Sequence, residues 1–265
     1  MEKKSGAKIG LSEVFPWPVV LLSAGLIALV TFIRLDFTNE FNQLYVLSSW
    51  LTLLGGSQTV VDPPPFELLQ WLMLVTPLIY FVGVYMEQET RKRLPFVLCR
   101  SFSYGRWWFR IMKAILLGCL VHTLICLIIP TLAVLVFGGG LYRPGGELLK
   151  EAMTPLVFFL YIAMAAILQA LLYLLWEDKR ISFVVAAIFP VLSYILCSVS
   201  PQAAIWFPGS WGMAWRYLSL VDMEGSGLVG NQYYIILPIE LLVCGGIYYW
   251  GKSAIGKKGI TDSAD

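Results

Sequence analysis

The placement of charge constrains this chain more than any other feature. Asp, Glu, Lys and Arg come in clusters, and the clusters are separated by apolar stretches of about 17 to 24 residues. A helix rises about 1.5 Å per residue, so roughly 20 apolar residues match a hydrocarbon core of about 30 Å. Helices buried in soluble proteins are usually shorter and keep a polar stripe. Only 14% of the residues are charged, where a soluble domain carries roughly 25%. These features predict an all-α polytopic membrane protein.

Six spans are expected, near Trp17–Ile33, Leu68–Met86, Ala114–Phe137, Pro155–Leu175, Ile181–Val199 and Ile235–Trp250. The first follows a short basic leader, as a signal peptide would. Its apolar run is longer than a signal h-region of about 7 to 15 residues, and no small-residue cleavage site follows it. It is therefore expected to stay as a span. The chain reads as a single transmembrane domain with no repeat, no low-complexity tract and no water-soluble unit.

Orientation follows from the basic residues, which stay on the cytosolic side of short loops. Lys3, Lys4 and Lys8 precede the first span. Arg91, Lys92, Arg93, Arg100, Arg106, Arg110 and Lys113 lie between the second and third. Lys179 and Arg180 lie between the fourth and fifth, and Lys252, Lys257 and Lys258 follow the sixth. Only Arg34, Arg143, Lys150 and Arg216 fall on the other side, so fifteen stand against four. Both termini are expected in the cytosol. Leu44–Leu54 is too short and too rich in Ser and Thr for a seventh crossing, and reads as an interfacial helix in outer loop 34–67. Outer loop 200–234, with Trp206, Trp211, Trp215 and Tyr217, reads the same way.

Few residues offer chemistry. Gly246 to Ser253 fits the phosphate-loop pattern G-x-x-x-x-G-K-[ST], but that pattern binds nucleotide only between a strand and a helix. Here its variable positions are Ile247, Tyr248, Tyr249 and Trp250 at the end of a span, so Lys252 reads as a snorkelling anchor. Cys99, Cys119, Cys126, Cys197 and Cys244 form no C-x-x-C pair and suggest no disulfide or metal site. His122, the only histidine, is expected to be neutral and hydrogen-bonded to a neighbouring helix, or else to line a pathway. Glu240 is expected to pair, for instance with Arg216, or to serve transport or gating. Gln169 is expected to join helices through its amide. No catalytic residue and no cofactor is expected on this chain.

Segment 87–113 is the most informative. A tight turn with a few positive charges would satisfy topology, yet this loop runs through Glu87, Glu89, Arg91 and Arg93 into an apolar strip of Leu94, Phe96, Val97 and Leu98. Pro95 suits a first helical position, and Ser101 to Gly105 suit the helix end. A short helix with charged flanks fits docking into a groove on a cytosolic partner. Binding to anionic lipid headgroups is the competing reading.

This layout resembles the permease subunit of an ATP-binding-cassette exporter of the type-2 family, over the whole chain. Glu87, Glu89, Arg91, Arg93, Arg100, Ser101 and Lys113 look similar to the charged cluster and turn that members carry after the second span. The long apolar loop after the first span departs from the family pattern. The resemblance implies that Glu87, Glu89, Arg91, Arg93, Leu94, Pro95, Val97, Arg100 and Ser101 form a coupling segment resting on a separate ATPase. ATP and Mg would be held by that partner, and a second permease subunit would complete a homo- or heterodimer. Few charges line the spans, so a lipid, amphipathic peptide or other hydrophobic compound is the expected cargo. A bacterial cytoplasmic membrane is the expected location. Two other functions compete: a non-catalytic immunity, assembly or sensor subunit, and an intramembrane enzyme using His122 and Glu240.

Overall fold

The computed structural model describes residues 17–34, 45–54, 65–93, 104–141, 148–199, 207–213 and 232–261. Among these, seven α-helices form: α1 Trp17–Arg34, α2 Val46–Leu54, α3 Pro65–Gln88, α4 Tyr104–Val136, α5 Leu148–Trp176, α6 Lys179–Val199 and α7 Gln232–Thr261. A π-helical turn, Glu89–Arg93, continues α3. Three helical stretches are long and apolar enough to cross a bilayer: Pro65–Arg91, Tyr104–Val136 and Met153–Trp176. Pro18–Ile33 forms a shorter apolar helix. The protein is a helical, membrane-embedded molecule.

The distribution of side chains on α4 shows which solvent the fold is built for. Leu116, Leu120, Leu124, Ile128 and Leu132 repeat every fourth residue and are exposed, which places them on one face of the helix. The opposite face buries His122 and Thr123 beside Cys119 and Cys126. A protein dissolved in water would put the leucines inside and avoid so long an apolar stripe outside. Here the polar groups are inside because hydrocarbon offers them no partner.

Helix α5 is the hub. It packs against α2, α3, α4, α6 and α7, and nearly every residue from Val157 to Leu174 is buried. The reason is composition. No charge occurs between Thr154 and Trp176, and Ala163, Ala165, Ala166 and Ala170 let neighbouring backbones approach closely. Trp71 of α3 fits against Phe158 and Tyr161 of α5, with ring centroids 5.6 and 5.7 Å away.

α4 and α7 extend furthest past their expected spans. α4 begins at Tyr104, ten residues before Ala114, because Trp107, Trp108, Ile111 and Met112 make a buried stripe that extends the helix toward its start. α7 continues to Thr261 through Lys252, Lys257 and Lys258. Basic residues end a hydrocarbon span without ending a helix, since both have good helix propensity.

The expected short helix after the first span is present as α2, whose nine residues would reach only about 13 Å. It packs on α4 and α5. The Trp50 indole donates to Thr131 Oγ1 at 3.0 Å, and the Val46 N–H donates to the Gly140 carbonyl at 3.0 Å. That second contact depends on how α4 stops. Gly138 takes a φ of +78°, a left-handed helix cap that glycine accepts without a steric penalty. Of segment 200–234, residues 207–213 are described. Trp211 and Met213 are buried there, so Trp211 belongs to the core and not to an interfacial belt. Trp206, Trp215 and Tyr217 lie outside the described residues.

Candidate functional site

The densest group of charged side chains sits where α3 passes into its π turn. Glu87, in the last turn of α3, pairs with Lys179, the first residue of α6, and with Arg91 at 3.5 Å one turn on. Glu89, at 1% exposure, meets Arg110 of α4 at 3.5 Å. The Thr90 hydroxyl lies 3.2 Å from the Tyr173 hydroxyl of α5 and also donates to the Met86 carbonyl at 2.8 Å. Within five residues, the chain thus contacts three other helices.

The π turn explains how this is possible. A regular α-helix would put residues 87 and 90 on one face and 89 on nearly the opposite one. One wider turn re-aims the side chains that follow it, and such turns occur often at functional positions. The ladder continues, but its register shifts.

The connection between α5 and α6 is shaped for the same place. Glu177 adopts a φ of +56° and its N–H donates to the Tyr173 carbonyl at 2.7 Å. The chain therefore reverses in two residues. Asp178 then caps α6, its Oδ1 accepting from the N–H groups of Arg180 at 2.7 Å and Ile181 at 3.2 Å. Those two N–H bonds hold the Asp178 carboxyl below its ordinary range. The cap sets Lys179 within reach of Glu87. On the other side, the Trp108 indole of α4 donates to the Tyr248 carbonyl of α7 at 3.0 Å. The end of α3, the starts of α4 and α6, the end of α5 and the last part of α7 all converge here.

Of the expected coupling residues, the structure brings Glu87, Glu89 and Arg91 together. Arg93 closes the π turn, while Leu94, Pro95, Val97, Arg100 and Ser101 lie outside the described residues. Sequence reasoning used Arg110 and Lys179 only to orient helices and did not foresee Thr90, Tyr173 or Asp178. Asp178 carried a local signal, an N-cap residue just before an apolar run. The pairings themselves did not, because Glu87 and Lys179 are 92 residues apart.

The other three expected residues occupy separate places. Gln169 Nε2 donates to Ser182 Oγ at 3.0 Å, joining α5 to α6. Its amide also lies against α3, where a Cβ added at Gly83 would be 2.7 Å from Nε2. A larger residue there would force the Gln169 amide to move. His122 Nε2 donates to the Leu74 carbonyl of α3 at 2.9 Å, as expected of a histidine joining helices. Leu74 and Gly83 are about 13 Å apart along α3, so His122 and Gln169 do not share a site. Glu240 is 0% exposed, and its carboxylate has no hydrogen-bond partner among the described residues. Arg216 lies outside them. No group of three or more His, Cys, Asp or Glu side chains suited to a metal occurs among the described residues.

Residues 21–209 match the family model described as "Protein of unknown function (DUF2705)". The matched stretch contains the whole charged junction and ends before α7. No curated protein and no solved structure matches the chain.

Proposed function

This chain belongs to the DUF2705 family of proteins of unknown function, and we propose that it is the membrane-spanning subunit of an ATP-driven exporter. It crosses the bilayer six times with both termini in the cytosol. The paired end of the bundle, rich in Lys and Arg, faces the cytosol in keeping with the positive-inside rule. Loop 87–113 is the coupling segment that rests on a separate ATPase.

The observation that carries this reading is the way both ends of segment 94–103 are anchored. Glu89 precedes the segment and Arg110 follows it, and the two side chains meet. Glu87 ties the same root to α6 through Lys179, and Thr90 ties it to α5 through Tyr173. A push on a loop rooted in this way is delivered to four helices together. A loop held by backbone alone would absorb the push. Simple topogenesis explains positive charge on this side, but it does not explain why each acid is matched to a base on another helix.

Two copies of the chain, or this chain and a related one, enclose the pathway, since the helices packed around a buried α5 leave little room for a conduit within one subunit. ATP and Mg act on the partner. A hydrophobic or amphipathic cargo suits walls with so few charges. The membrane is the plasma membrane, in a bacterium the cytoplasmic one.

Affinity purification of the full chain from native membranes tests the proposal. An ATPase should accompany it, and replacing Leu94, Val97 and Leu98 by Asp should abolish that association while the chain stays folded. A single cysteine in 94–100 should react with an impermeant label only from the cytosolic side. Recovery of a functional complex with no ATPase would leave a sensor, assembly or immunity subunit in its place. Labelling of 94–100 from outside would remove both the topology and the coupling role.

A further inference from the structure

A second feature lies on the surface of the bundle, beside the paired cluster. Between α4, α5 and α7 runs an open groove of about 440 Å³. Phe109, Met112 and Leu116 line it from α4, Ala163 from α5 and Tyr248 from α7, with Lys113 as its charged member. Ala163 is buried at 3% exposure and has the smallest side chain in this lining. A side chain that small leaves the space open where a leucine would fill it.

The charges at one end of this groove are arranged for an anion. Lys113 is exposed and its Nζ turns back one helical turn to lie 4.5 Å from the centroid of the Phe109 ring. That direction leads toward the start of α4, away from the hydrocarbon centre, as a snorkelling lysine does. One further turn along, at Gly105, the stem of Lys252 arrives from α7, its Cε 3.4 Å from where a Cβ would stand. Neither Lys113 nor Lys252 meets a carboxylate among the described residues. Nearby Arg91, Arg110 and Lys179 are each matched to an acid. Lys113 thus stands at the groove and Lys252 reaches the same end of α4, neither meeting a carboxylate among the described residues.

We propose that this groove holds an acyl chain of an anionic phospholipid, with the lipid phosphate between Lys113 and Lys252. The occupant follows from charge complementarity and from the medium. An apolar channel capped by cations fits a molecule with a hydrocarbon tail and a negative head. A zwitterionic lipid brings a choline that the two ammonium groups repel. A free anion fills the head position and leaves the channel without an occupant. The site does not depend on an ATPase partner.

Native mass spectrometry of the purified full chain in detergent, with phosphatidylglycerol or phosphatidylcholine of the same acyl composition, reads the site directly. A lysine near an anionic lipid surface is worth about a fivefold change in binding. Lys113→Gln should weaken phosphatidylglycerol retention by about that factor, Lys113→Arg should keep it, and phosphatidylcholine should be retained poorly by all three proteins. Lys113 is exposed, so its replacement leaves packing intact, and the melting temperature without lipid should not move. Equal retention of the two lipids by the wild-type chain would overturn the proposal, as would full retention by Lys113→Gln. Displacement of phosphatidylglycerol by excess inorganic phosphate would assign the cations to a soluble anion instead.

Discussion

Glu89 and Glu240 are both buried, at 1% and 0% exposure, yet their surroundings differ. Glu89 stands beside the Arg110 guanidinium at the mouth of segment 94–103, where a matched charge can transmit force between helices. Glu240 lies in α7, which packs on α5 and α4, and its oxygens accept nothing among the described residues. Burial of a carboxylate is costly in either place. At the junction, a base from another helix offsets that cost, so the residue belongs to the architecture. In α7, nothing among the described residues offsets it. A group that lowers stability and is not compensated locally is expected to serve something beyond the fold of one subunit.

Arg110→Met probes the first case and should give the largest effect. Removing one partner of a buried pair leaves the other charge stranded, at about 3 to 5 kcal/mol. Arg110 is 34% exposed, which puts the expected loss near the lower limit, about 3 kcal/mol. Thermal unfolding in detergent measures it. The double variant Glu89→Met, Arg110→Met should recover most of that loss, since an apolar pair of similar volume is often neutral. If the double variant is as unstable as the single one, the ion pair is not what holds the junction.

The contrast also separates what the sequence discloses from what it conceals. Apolar run length located the long helices, and three of those stretches are long and apolar enough to cross a bilayer, whose thickness sets the length a spanning segment must match. The helix-joining roles of His122 and Gln169 were legible too, since a polar group in a span needs a partner and a neighbouring helix is the nearest supply. Glu89 and Arg110 were read as separate members of a charged loop. Their pairing depends on a π turn and on α4 starting at Tyr104, and neither is encoded in charge spacing. The central place of α5 was recoverable from the alanines and the lack of charge in its stretch after Thr154, but all apolar spans look alike to a length criterion. The partner of Glu240 was sought at Arg216, which lies outside the described residues.

Glu240→Leu sharpens the second case. An unpartnered buried polar group costs about 1 to 3 kcal/mol, so a leucine of similar size should raise the stability of the isolated chain by about 1 kcal/mol or more. Activity in the assembled complex should fall at the same time if the carboxylate lies on a pathway. A stabilised protein with full activity would make Glu240 a tolerated defect. A protein destabilised in detergent would mean that the carboxylate has a partner, and the contrast with Glu89 would collapse.

Gln169→Leu should have the smallest effect, and it shows how charge and dipole divide the work of joining helices. The Gln169 amide connects α5 to the Ser182 hydroxyl in α6 at 3.0 Å, only about a turn from the Glu87–Lys179 pair. Interhelical hydrogen bonds in membrane proteins average about 0.6 kcal/mol, because separated helices also find polar partners within the bilayer. The expected loss is therefore about 0.6 kcal/mol, a small fraction of that for Arg110→Met. Gly83→Ala attacks the same contact from the α3 side by driving a methyl to 2.7 Å from Nε2, and in the Gln169→Ala background that clash should vanish. If Gln169→Leu instead costs as much as Arg110→Met, hydrogen-bonded dipoles and not ion pairs hold this end of the bundle. The coupling path would then run through α5 and α6 and bypass the Glu89–Arg110 contact.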